Sequence, residues 1–278
     1  MNGFEKNGLY YEIIDEKKKT VRVRYAHWTA KPTGALSIPE NVENDGKKYT
    51  VTEIGGWGAY KCIVHDSVTD KRSKTGYRQV PREIILNWQG FKDTDITSIK
   101  MPKTITKIGN DAFRYCKKLT KVEMPPNVVE IGEYAFSECE KLTKVEMSPK
   151  IVKIEHCAFS NCTSLTSITL PETVKTLEYG AFANCKKLKS VNIPPLVEVL
   201  ERDVFARTQI KTIKIPAGVN LIKNDAFAST IFKNDDRYPK EAIIDNSDGN
   251  LVIENSAFPA ETKITYKGKS LLSKLFGK

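Results

Sequence analysis

The chain has 278 residues, of which 40% are hydrophobic and 28% charged, and it carries a net charge of +10. That length supports one large domain or two ordinary ones around a substantial core, and no run of 18 apolar residues offers a transmembrane helix. The positive excess suits nucleic acid, anionic glycans or a membrane surface, but lysines and acids are interspersed through the middle, and positive charge concentrates only in Lys71–Arg82 and in the acid-free tail Lys263–Lys278.

The opening MNGFEKNGLYYEIID lacks a basic segment followed by an apolar one, so no signal peptide is legible. The expectation is an intracellular protein or the mature part of an exported one. Residues 9–28 read as a hairpin with strands Tyr10–Ile14 and Thr20–Tyr25. Residues 1–34 are therefore expected to form an N-terminal β cap. From Leu36 the sequence LSIPENVENDGKKYTVTEIGGWGAYKC reads as a degenerate coil. In it Ile54 and Cys62 keep the spacing of Ile108 and Cys116, and Ala59 stands where a phenylalanine belongs. Residues 63–83 are polar and read as a projecting loop or hairpin. REIILNWQGF then links this insertion to a regular array.

That array carries IGNDAFRYC, IGEYAFSEC, IEHCAFSNC and LEYGAFANC at a spacing of 23 residues. A period of this size decides the fold before any motif is read. Full coils begin near Ile96, Leu119, Leu142, Leu165, Leu188 and Ile210. In LTKVEMPPNVVEIGEYAFSECEK, Val122 and Met124 alternate with Glu123 as a short half-buried strand. Pro125 ends that strand. Val128 and Ile131 point inward from a second extended piece, and Gly132 permits a turn into a helical segment. Ala135, Phe136 and Cys139 then share one side of that turn. One coil cannot bury its own apolar edge, so coils stack and identical residues form ladders. The predicted core ladder is Phe113, Phe136, Phe159, Phe182, Phe205 and Phe227, with Cys116, Cys139, Cys162 and Cys185 as small buried thiols. The turn after Phe205 loses its cysteine and is one residue shorter. AIIDNSDGNLVIENSAF reads as a hairpin and a last imperfect unit at Ala257-Phe258. The tail 259–278 is expected to cap the end, with Leu271, Leu272, Leu275 and Phe276 on one helical face.

Units of this form resemble BspA-like leucine-rich repeats, and the resemblance covers roughly residues 35–258. It implies a mainly β leucine-rich-repeat solenoid of stacked short parallel strands with short helical or 3-10 turns. It also implies a bacterial secreted or surface-attached protein that binds host proteins, matrix or other cells. A legible export signal is missing, and the insertion after the first coil departs from the pattern.

Catalytic and cofactor motifs are not legible. His27, His65 and His156 stand apart from any nucleophile or zinc-protease motif. His156, Cys157 and Cys162 suggest a metal corner but lack a fourth ligand. IGGWG occupies a coil turn, and the pairing of Glu123 with Glu146 follows from repetition. No enzyme activity, metal or cofactor is expected. What remains is surface. The stacked strands expose Lys121, Glu123, Lys144, Glu146, Thr169, Asn192 and Lys214 as a polar strip, and Tyr77, Arg78 and Trp88 of the insertion have the composition of interface anchors. These are the candidate partner-binding residues. Cys157, off the ladder register, is the cysteine expected to react first. The reading is a monomeric protein-interaction module, with an intracellular scaffold and a polyanion binder as alternatives. Its expected partner is another protein, with neither nucleic acid nor membrane insertion involved.

Overall fold

The computed structural model describes residues 3–25, 31–55, 57–69, 77–228, 239–245 and 250–267, and for 57–69 and 77–89 the backbone alone. Within these residues every regular element is a strand. The chain forms a solenoid with two rows of short parallel strands, one on each side of a common core.

The first row holds Thr33–Ser37, Asp95–Lys100, Lys121–Glu123 and Lys144–Glu146 in one sheet. Ser167–Ile168 pairs with Ser190–Val191, and Thr212–Ile215, Glu241–Asp245 and Lys263–Lys267 form a third group. The second row runs from Lys47–Ile54 through Lys107–Ile108, Glu130–Ile131 and Lys153–Ile154 to Thr176–Leu177, and after a break in pairing it continues as Val199–Leu200, Leu221–Ile222 and Val252–Ile253. Strands Gly3–Lys6, Leu9–Asp15 and Thr20–Tyr25 extend this second row and close its open edge. The cap is antiparallel within itself and parallel where Thr20–Tyr25 meets Lys47–Ile54. An end coil without such cover would expose its apolar edge.

Between the two rows each coil turns through successive i+3 to i bonds, such as Ala112 N to Gly109 O and Cys116 N to Phe113 O. These bonds do not continue into a helix, because the residue before alanine and the second after phenylalanine are left-handed. Asp111 and Tyr115 have φ of 52° and 59°, Tyr134 and Glu138 of 54° and 62°, and Cys157 and Asn161 of 51° and 60°. The left-handed residues turn alternate amides toward the next coil: Phe113 N donates to Ala135 O at 2.7 Å and Tyr115 N to Ser137 O at 2.8 Å. Backbone donors are thus satisfied between coils instead of along a helix axis.

The phenylalanine ladder runs along the centre, and all its members from Phe91 to Phe227 are fully buried. Neighbouring rings stack at centroid distances of 5.7 Å for Phe91 on Phe113, 5.2 Å for Phe136 on Phe159 and 4.8 Å for Phe227 on Phe258. The cysteines lie beside it. Cys116, Cys139, Cys162 and Cys185 each donate the thiol to the phenylalanine carbonyl of the preceding coil, at Phe91, Phe113, Phe136 and Phe159, and each contact is 3.2 Å. They are free and buried. Threonine takes the same place where cysteine is missing: Thr94 and Thr208 are buried and bond the carbonyls of Phe91 and Phe205.

The first coil is built differently from the sequence expectation. Ala59 and Cys62 do not occupy the coil turn, because Trp57–Thr69 pairs along its whole length with Tyr77–Gln89 in one antiparallel register. The inserted ribbon therefore extends beyond the anticipated 63–83. The coil resumes at Gly90, and Phe91 fills the phenylalanine place expected at Ala59. REIILNWQGF is thus mostly ribbon strand, with only its last two residues in the array. Gly55 and Gly90 flank the ribbon with φ of 70° and 52°. A Cβ on either would lie 2.7 Å or 2.6 Å from the Ala112 Cα, so only glycine fits this close approach.

Candidate functional site

The first strand row presents the polar strip. Register pairing sets Lys121 beside Lys144 and Glu123 beside Glu146. Like charges side by side are unfavourable, and the side chains relieve this by pairing with opposite charges. Lys121 bonds Glu123 in its own strand and lies 3.6 Å from Glu146, which is also 2.7 Å from Lys144. The bond from Lys144, then the charge of Lys121, holds the Glu146 carboxyl below its usual range. Glu123 similarly raises Lys121. This end of the strip is a neutralised network exposed to water.

Farther along, charge gives way to hydroxyl and amide groups. Thr169 is exposed. Asn192 is exposed as well, yet its carboxamide is engaged: Oδ1 accepts from the Leu170 amide at 2.7 Å and Nδ2 donates to the Leu170 carbonyl at 2.8 Å. The side chain thereby extends the pairing of Ser167–Ile168 with Ser190–Val191 by one more step. Lys214, exposed on Thr212–Ile215, lacks an acidic partner among the described residues.

The strip's strand pairing breaks twice, after Lys144–Glu146 and again after Ser190–Val191. A cleft lies at each break. The first, of about 440 Å³, is lined by residues that include Lys144, Glu146, Met147, Ile168 and Thr169. The second, of about 520 Å³, has Ile193, Ile215 and Ile243 among its apolar lining, with Lys214, Asp245 and Lys267 on its polar side. The sequence indicated the strip but neither cleft. The side chains of Tyr77, Arg78 and Trp88 lie outside the described residues, as do those of Cys62 and His65, and the tail residues Leu271, Leu272, Leu275 and Phe276.

A second surface feature went unread in the sequence. On the outside of the turns, the Arg114 guanidinium lies 4.3 Å from the centre of the Tyr134 ring. Tyr134 meets His156 edge-on at 5.1 Å, and His156 stacks on Tyr179 at 4.9 Å. The Tyr134 hydroxyl is 2.9 Å from His156 Nε2. The row crosses four coils, and its only advance signal was aromatic residues in successive turns at slightly shifted positions. It also holds His156 away from Cys162, which is buried against the Phe136 carbonyl, so the suggested metal corner does not converge. Cys157 is half-buried, and burial pushes its thiol up to about 11. A thiol so shifted is a poor nucleophile near neutral pH.

Six copies of the BspA type leucine-rich repeat region match residues 85–209 and 115–233. The chain belongs to the BspA-type leucine-rich repeat family. Solved bacterial proteins resemble it at low identity. The leucine-rich repeat protein of T. pallidum is 18% identical, with a TM-score of 0.50, over 93% of this chain and 92% of that one. A leucine-rich repeat protein from Bacteroides ovatus is 21% identical over 95% of this chain and 71% of its own, with a TM-score of 0.46. A leucine-rich cell surface protein from Faecalibacterium prausnitzii is 18% identical over 98% and 96%, with a TM-score of 0.32. No curated protein matches the chain. These BspA-type coils carry the strip along the first row of strands, between Lys121–Glu123 and Thr212–Ile215.

Proposed function

We propose that this BspA-type array is a non-enzymatic protein-interaction module whose polar strip receives a protein partner outside the cell. The observation that carries the reading is the strip itself: exposed side chains at matched positions from Lys121 to Lys214, interrupted by two clefts. A rigid row with apolar recesses fits the composition of protein interfaces, in which apolar anchors are ringed by polar contacts. The family resemblance supports placement at the cell surface or in the medium. A polyanion reading is less well supported, because Lys121 and Lys144 are matched by carboxylates.

The test measures binding of the purified chain to a panel of extracellular-matrix proteins, with heparin and a DNA duplex as polyanion probes. A matrix protein should bind, and exchanging Thr169 and Lys214 for bulky acidic residues should abolish its binding. The same number of exchanges on the opposite strand row should leave it intact. Loss from both rows alike, or no binding at all, would sink the reading. Tight heparin or DNA binding that falls by orders of magnitude between about 50 and 200 mM salt would replace it with the polyanion alternative.

A further inference from the structure

We propose that the second cleft, between Ser190–Ile193 and Thr212–Pro216, takes one extended segment of the partner, in which an acidic side chain lies between aliphatic ones. The proposal rests on the protein-binding reading and adds where on the strip the partner's backbone docks and with what sequence chemistry.

Three observations converge on it. First, neighbouring strands in a sheet normally bond one another across about 4.8 Å, but no strand pairing joins Ser190–Val191 to Thr212–Ile215. The coil leading into the break is also the short one: Leu188 to Ile210 spans 22 residues where its predecessors span 23. Second, on the side of Asn192 away from this break, the structure shows which chemistry satisfies strand backbone in this row. The Asn192 carboxamide grips the Leu170 amide and carbonyl at two points, as a peptide unit of an added strand would. An extended chain brings a continuous series of such units.

Third, the lining selects side chains. Ile193, Ile215 and Ile243 give it an apolar side, and Lys214 and Lys267 approach it with Asp245 as the single carboxylate among the described lining residues. Neither lysine has an ion pair among the described residues, in contrast to Lys121 and Lys144 at the other end of the strip. Successive residues of an extended segment face opposite ways. Alternating aliphatic and acidic residues would therefore set branched carbons against the isoleucines and a carboxylate toward the lysines. Hydrogen bonds to charged groups are stronger than neutral ones, which gives the acidic position its selectivity.

The test uses the whole chain with isotope-labelled isoleucine methyl groups. The probe is a blocked five-residue peptide alternating valine or isoleucine with aspartate or glutamate, and the control replaces both acids by lysine. The acidic peptide should shift the methyl signals of Ile193, Ile215 and Ile243 and saturate them. The double variant Lys214→Ala, Lys267→Ala should keep the spectrum of the folded chain and weaken binding about tenfold, as loss of charged hydrogen bonds predicts. Equal shifts from the lysine peptide would overturn the proposal, as would unchanged affinity in the double variant. Shifts at Ile168 with none at the three cleft isoleucines would overturn the cleft and leave the wider reading standing. Shifts that depend on protein concentration without peptide would put a second copy in the cleft, also overturning the proposal. Failure of the wider reading is seen separately, in the matrix-protein assay.

Discussion

The centre of the solenoid and its polar strip are built from the same coils, yet one is continuous and the other is broken. Aromatic stacking runs from Phe91 to Phe258 without a missed step, even through the coil that lacks a residue. The first strand row divides into three groups over the same distance. A buried ring is held by contacts on all sides and tolerates a small shift along the stack. A strand of two or three residues depends on a few directional bonds, and a small displacement disconnects it. Interior continuity thus leaves surface geometry free to vary.

The largest effect that bears on this comparison is a hole in the ladder. Phe159→Ala removes a fully buried ring stacked on both sides and should cost ~3–5 kcal/mol in urea unfolding. A loss below ~1 kcal/mol would show that the stack does not hold the coils together. Gly90→Ala should come next, because the new Cβ would meet Ala112 backbone in a left-handed residue. A cost of ~1–3 kcal/mol is expected, read as a lowered midpoint, and an unchanged midpoint would mean that the ribbon's root can shift freely.

A smaller effect belongs to the thiols. Cys139→Ser keeps a donor facing the Phe113 carbonyl, and buried hydroxyls at the same turn position, Thr94 and Thr208, already find an acceptor in the phenylalanine carbonyl of their own coil. Serine should therefore cost about 1 kcal/mol or less, and alanine more, by the order of one neutral hydrogen bond plus lost packing. If serine proved the worse of the two, the thiol contact would not be a hydrogen bond. In the folded chain a thiol reagent at pH 8 should label Cys157 slowly, since burial holds it near 11. It should not label Cys139 at all. Labelling of Cys157 should accelerate as pH rises toward that value, and a rate flat with pH would contradict the assignment.

The smallest effect is on the strip. The Glu146 carboxyl is lowered in the fold, so its pairing adds stability above the unfolded pKa and loses it as pH falls through the folded one. Its exposure to water and salt leaves this contribution slight. Glu146→Gln should leave the urea midpoint within experimental error at pH 7. A clear drop would show that the strip's charges support the fold and are not available for binding.

The repeat was legible because the same buried types recur at the same places: phenylalanine at 113, 136, 159, 182 and 205, with cysteine three residues later in the first four. Phe91 escaped notice because the ribbon separates it from Ile54, with which it shares a coil. Ala59 and Cys62 offered a false match in its stead, one of spacing without a ladder contact. Alternation along the strands revealed which residues the strip exposes. It could not reveal the clefts, which depend on where strand pairing fails. The row of Arg114, Tyr134, His156 and Tyr179 was hidden for another reason: its members hold three different places within their coils and meet only because the left-handed turns bring them together.

The two glycines beneath the ribbon have a consequence for how such a molecule can change. Gly55 donates to the Val23 carbonyl and the Gly90 carbonyl accepts from the Tyr25 amide, so the chain leaves and returns at one cap strand. Both glycines rest on Ala112. Everything from 57 to 89 thus passes through a single narrow doorway, and closing a longer or shorter excursion there differs little in chain entropy. The array has a built-in socket: one segment can be exchanged for another of different size while the coils on either side keep their contacts, giving this part of the protein a route to diversify on its own.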